Sequence, residues 1–160
     1  MKTYYLLLIT LMLIITACDY TGSTTSQVII KNTSSHKVKI LPYQNGTVKQ
    51  SAVINLKTGE EKTVSSNVER DILGTGSYFP EYVLGTDSVI VLFDDSLKTI
   101  HFNDSVSISP SSFHWSNSPR SLWNIDKFDI SVRDLSKKER IYTARYTFTE
   151  DDYLYAVSRN

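Results

Sequence analysis

The chain predicts an all-β fold: a two-layer antiparallel β-sandwich with a short C-terminal helix, preceded by a signal peptide. Three observations carry that prediction. From Gln27 onward apolar and polar residues alternate with a period of two, the mark of strands with one face in a core and the other in water. Short clusters of Gly, Asn, Asp and Ser separate these segments and supply turns. No helical segments alternate with the strands and no solenoid-length repeat is present, which leaves about eight strands in a sandwich, with a closed barrel as the runner-up.

Each element follows from its residues. Val28 and Ile30 share one face of a first strand, and Val38 and Ile40 do the same in a second, after the polar break "NTSSH". Pro42, which has no amide hydrogen, ends that second strand or marks an edge. A third strand is expected from Val48 to Leu56, with Val48, Ala52, Ile54 and Leu56 on one side and Lys49, Ser51 and Asn55 on the other. The turn "LKTGEEK" follows, with Gly59 free to take positive φ, and the chain returns over Lys62 to Ser65. "DSVIVLFDD" is apolar on both faces, so it belongs at the centre of a sheet. Asp94-Asp95-Ser96 reverses the chain into a partner strand from Leu97 to Phe102.

A second hairpin comes late. Phe128, Ile130 and Val132 alternate with Asp129, Ser131 and Arg133, and after "SKKE" a strand presents Tyr142, Ala144, Tyr146 and Phe148 inward. Thr149 then caps a helix of about two turns, with Asp152 three residues on and Glu150 and Asp151 at the positive end of its dipole.

The N-terminus carries an address. Lys2 precedes a nearly unbroken apolar run from Tyr4 to Ile15, and Thr16-Ala17 closes it, the layout of an export signal. About 14 residues are too few to span a bilayer, which needs about 20. The run stops at Cys18, the only cysteine in the chain. Ile15-Thr16-Ala17-Cys18 resembles the lipobox of bacterial lipoproteins. That resemblance implies cleavage before Cys18, a diacylglyceryl group on its sulfur and palmitate-class acyl chains. The alternatives are a buried or free thiol, or an uncleaved anchor. One acyl chain holds a protein only marginally, at about 0.8 kcal/mol per buried methylene, whereas two or three hold it stably.

The expected organisation is therefore a signal peptide over 1–17, lipidated Cys18 and a flexible tether through 26, and a sandwich domain over 27–160. The expected location is a bacterial envelope of Gram-negative type, with membrane contact through the N-terminal lipid. Loss of the 17-residue signal removes Lys2 alone among the charges, so 16 basic residues face 17 acidic ones in the mature chain. That balance argues against nucleic acid as a partner, which calls for a concentrated basic face. "VIIKN...VKI" and "INLKTGEE" also resemble immunoglobulin-like sandwich modules of exported proteins, although Thr58 stands where the usual turn proline would be.

Chemistry is sparse. His36, His101 and His114 have no partner at zinc-ligand spacing, and the acids form no spaced calcium loop, so neither a metal nor a cofactor is expected. No nucleophile elbow or Ser-x-x-Lys pattern is present, and no catalytic residues are assigned. The segment "SPSSFHWSNSPRSLWN" gathers Phe113, Trp115 and Trp123 among Ser and Asn. These rings, with Tyr78 and Tyr82 from "GTGSYFPEY", would either stack against sugar rings or plug the open end of the sandwich. Ser88, Ser96 and Ser105 each follow Asp and precede an aliphatic residue, which resembles an acceptor for O-glycosylation of exported proteins in one Gram-negative lineage. The expectation is a non-enzymatic lipoprotein that binds a protein or glycan partner or serves an envelope assembly. The alternative is a small envelope hydrolase or an inhibitor of an envelope enzyme.

Overall fold

The computed structural model describes residues 22–70, 86, 88–102, 113–114 and 121–159. The strands are β1 (Ser23–Asn32), β2 (Val38–Gln44), β3 (Thr47–Val48), β4 (Ile54–Leu56), β5 (Glu61–Arg70), β6 (Ser88–Phe93), β7 (Leu97–Phe102), β8 (Phe113–His114), β9 (Asp129–Ser136) and β10 (Glu139–Phe148). Among the described residues one α-helix, α1 (Glu150–Val157), follows β10. The first sheet has the order β5-β1-β10-β9 and the second the order β3-β2-β6-β7-β8, with β4 also paired to β2.

The two sheets share one core, which makes the body sandwich-like. Val28, Ile30, Tyr142, Ala144, Tyr146 and Phe148 enter it from the first sheet, and Val38, Ile40, Leu56, Val89, Val91 and Phe93 from the second. Taking this apolar surface out of water is the main stabilising term. The inner face of β10 is the expected one, and so are the β6-β7 and β9-β10 hairpins. β6 lies inside its sheet, as an apolar strand should.

The sheets are mixed, not purely antiparallel. β1 pairs parallel with β10, Val28 beside Ala144 and Ile30 beside Tyr146, while β7 pairs parallel with β8. No local turn specifies a pairing between the first and last strands. The register aligns their apolar faces, and that continuity over the core is the physical reason for it.

The polar break "NTSSH" and the turn "LKTGEEK" both carry the chain from one sheet to the other instead of joining neighbouring strands. β1 lies in the first sheet and β2 in the second, so "NTSSH" is an arch. Buried Asn32 builds it: its Nδ2 donates to the carbonyls of His36 (2.7 Å) and Leu56 (3.4 Å), and its Oδ1 accepts from the amide (3.0 Å) and hydroxyl (2.7 Å) of Ser34. After Gly59, with φ of +79°, β5 likewise leaves β4 and pairs with β1.

Other boundaries also differ. The expected strand from Val48 to Leu56 is β3, a 3-10 turn over Gln50–Ala52, and β4. β2 runs through Pro42, whose carbonyl accepts the Lys49 amide at 2.8 Å. The missing proline donor faces that same side, in the gap between the β3 and β4 pairings, where no ladder bond is lost. Asn45 and Gly46 form the two-residue β2-β3 turn with φ of +51° and +74°, a strong Asn-Gly hairpin signal in the sequence. β1 begins at Ser23 with Thr24 fully buried, so 23–26 are paired strand rather than tether. The signal peptide, Cys18 and residues 19–21 of the tether lie outside the described residues.

α1 forms as expected. The Asp152 carboxylate accepts from the amide (2.9 Å) and hydroxyl (3.2 Å) of Thr149, and Ala156 is buried against the sandwich. Among the described residues no helix is long and apolar enough to cross a membrane.

Candidate functional site

Four lysines converge on one groove. Lys37 and Lys39 come from the start of β2, Lys57 follows β4 and Lys62 lies on β5, and together they line a depression of about 320 Å³ floored by Val38 and Leu56. The β2-β4 pairing sets Lys39 beside Asn55 and Val38 beside Leu56, so the apolar residues point inward while their neighbours face the groove. The Lys62 ammonium donates to the Asn55 carbonyl at 2.8 Å.

Two acids moderate the charge. Lys62 lies 3.6 Å from Glu60, and Lys39 lies 3.8 Å from Asp95. A hydrogen bond from the Lys57 amide, with Lys62 adding to it, holds the Glu60 carboxyl below its ordinary range. Four ammonium groups against two carboxylates leave two positive charges over the groove. Such a site receives anionic groups as point charges, with Asn55 available for hydroxyls or carbonyls.

A second polar cluster sits where the "NTSSH" arch meets the helix. The His36 ring stacks on Tyr153, with centroids 3.4 Å apart; its Nδ1 lies 2.6 Å from Asp94 and its Nε2 lies 3.4 Å from Glu150. Ser35 gives both its amide and its hydroxyl to Glu150, each at 3.1 Å, so the hydroxyl is turned to the carboxylate and not to the imidazole. This arrangement fastens three chain segments and does not poise a nucleophile against a base. The two carboxylates face opposite ring nitrogens, and among the described residues no group of three His, Cys, Asp or Glu converges on a metal position.

The cluster carries a pH prediction. Asp94 is held below its ordinary value chiefly by the hydrogen bond with His36, and Glu150 chiefly by the Ser35 amide. A depressed carboxylate contributes stability above its unfolded value and loses it as pH falls through the lower folded value. The melting temperature should therefore drop between about pH 5 and pH 2, with a smaller drop in the doubly substituted Asp94→Asn, Glu150→Gln protein, as read by thermal denaturation across that range.

The residues expected at a site are dispersed. Tyr78, Tyr82, Trp115 and Ser105 lie outside the described residues. Phe113 is placed in β8 beside Ile100 of β7. Trp123 is only 8% exposed and belongs to the core, so its ring face is not open to a sugar. It is drawn in because Leu122 donates its amide to Nδ1 of buried His101 (3.1 Å) and Trp123 its own amide to the Ser121 hydroxyl (3.1 Å). His101 Nε2 meets the Thr99 hydroxyl at 3.2 Å, so both ring nitrogens serve the packing of this loop. Ser88 is half-buried at the start of β6, whereas Ser96 is exposed in the β6-β7 turn.

The lysine groove was not among the expected sites. Alternating lysines on a strand ordinarily mark a solvated face, and only the arrival of Lys57 and Lys62 beside Lys37 and Lys39 makes a concavity. No protein-family model matches the chain, and neither a curated protein nor a solved structure matches it.

Proposed function

We propose that this chain is a lipid-anchored lipoprotein of a Gram-negative envelope, held to the membrane through acylated Cys18, and that its sandwich body is a non-enzymatic module binding an acidic protein or glycan partner. The observation that carries the binding role is the convergence of Lys37, Lys39, Lys57 and Lys62 on one groove. The lipobox-like Ile15-Thr16-Ala17-Cys18 supports the anchor. An immunoglobulin-like reading of the two-sheet body belongs to the same proposal, as does glycan attachment at exposed Ser96 and at half-buried Ser88.

Titration of the full chain with inorganic polyphosphate and with an acidic polysaccharide tests the groove. Binding should weaken as salt rises, and the Lys37→Glu, Lys57→Glu double variant should lose roughly tenfold or more in affinity, since two favourable charges become repulsive. Unchanged binding in that variant removes the groove from the proposal. Intact-mass measurement of protein from its own host tests the anchor: the expected species lacks residues 1–17 and carries acyl mass on Cys18, and a full-length chain with a free thiol would overturn it.

A further inference from the structure

β9 closes one side of the first sheet, and among the described residues nothing covers it. All eight of its residues are exposed, although it is paired along β10. Ile130 and Val132 stand opposite Ala144 and Tyr142, which are core residues, so they point to the inner side of their sheet. Yet they are 44% and 54% exposed. The second sheet does not extend over them. Among the described residues the first sheet therefore ends in a strand with a free backbone edge and an unburied apolar face, the arrangement that invites another strand.

Charges on an edge strand ordinarily discourage such pairing, so their placement decides whether this edge is blocked. Asp134 is satisfied within the chain by Arg140 at 2.6 Å. Asp129 and Arg133 lie on the other face from Ile130 and Val132, four residues apart, with Ser131 midway. Two copies of β9 laid antiparallel with Ser131 facing Ser131 put each Asp129 opposite an Arg133. The same register puts each Ile130 opposite a Val132, on the uncovered inner face. Slipping one residue sets Asp129 against Asp134, and centring on Val132 sets Ile130 against Asp134. One register thus satisfies both the apolar and the charged positions.

We propose that β9 pairs with β9 of a second copy of this chain, joining two four-stranded sheets into one eight-stranded sheet about a two-fold axis through Ser131. Pairing of this kind is isologous and closes on itself, which ends the edge instead of propagating it. The proposal stands apart from the lipid anchor and the lysine groove.

The test is disulfide trapping in the full chain purified from its host, under a mild oxidant. Directly opposed antiparallel residues have Cα atoms about 4.5 to 5.5 Å apart, inside the range a disulfide spans. Ser131→Cys should form a covalent dimer well above the level of the unsubstituted chain, while Ser136→Cys, ten residues from its counterpart's partner position in this register, should not. Asp129→Arg added to Ser131→Cys should cut trapping roughly tenfold, and the charge-exchanged Asp129→Arg, Arg133→Asp pair should restore it. Restoration separates lost pairing from a lost fold. Absence of trapping at Ser131, equal trapping at Ser136, or no rescue by the exchanged pair would each overturn the proposal.

Discussion

Replacing Phe148 by alanine lowers the stability of the domain by about 4 kcal/mol, the largest effect expected of any single truncation here. The ring is 1% exposed at the end of β10, with Tyr146 of its own sheet at a centroid distance of 4.9 Å and Phe93 of the facing sheet at 6.1 Å. Both neighbours meet it edge-on, an arrangement that adds to the area buried. Deleting the ring leaves a cavity between two sheets whose backbones are held by ladders and cannot collapse into it. The Phe148 carbonyl still accepts the amide and hydroxyl of Thr33, so the loss is one of packing alone. Urea denaturation should show a lower midpoint with unchanged slope, and Phe148→Leu should cost under half as much. Equal stability of the alanine variant would show that this ring does not bridge the layers.

Replacing Asn32 by alanine should cost about 3 kcal/mol, through a different term. Asn32 is fully buried, and its amide meets two backbone carbonyls on one side and two Ser34 donors on the other. Alanine takes a bond from four partner atoms, of which the Ser34 hydroxyl and the His36 carbonyl still keep one to each other at 3.2 Å. Any that stay buried without a bond carry a desolvation penalty of about 1 to 3 kcal/mol. Asn32→Asp keeps the acceptor and loses the donor while burying a carboxylate, so at neutral pH it should be at least as destabilising. Chemical denaturation of both variants checks this. A loss below about 1 kcal/mol for alanine would mean that the arch holds without the side chain.

Much of the fold was legible because its signals are local. The Thr149-Asp152 pair specifies the start of α1, and the alternation of Tyr142, Ala144, Tyr146 and Phe148 specifies the inner face of β10. Asp94 and Asp95, both at positive φ, turn β6 into β7 over a three-residue loop. The Asn45-Gly46 turn was equally available and was hidden by reading Pro42 as a strand end. The candidate site was less legible. Lys37, Lys39, Lys57 and Lys62 look like ordinary solvated positions until two crossings between sheets bring them to one groove.

The sequence by itself determined where most of the strands lie, which face of most of them turns inward and where the helix begins. Periodicity, caps and turn residues act over a few positions, and their energies are settled within one segment. Only the tertiary structure decided that β1 lies parallel to β10, that "NTSSH" and the Gly59 turn cross between layers, that Trp123 is core and that Ile130 and Val132 overhang it. Those outcomes depend on how much apolar surface each pairing covers across separations of a hundred residues or more, and a period of two is the same whether the facing sheet reaches a strand or stops short of it.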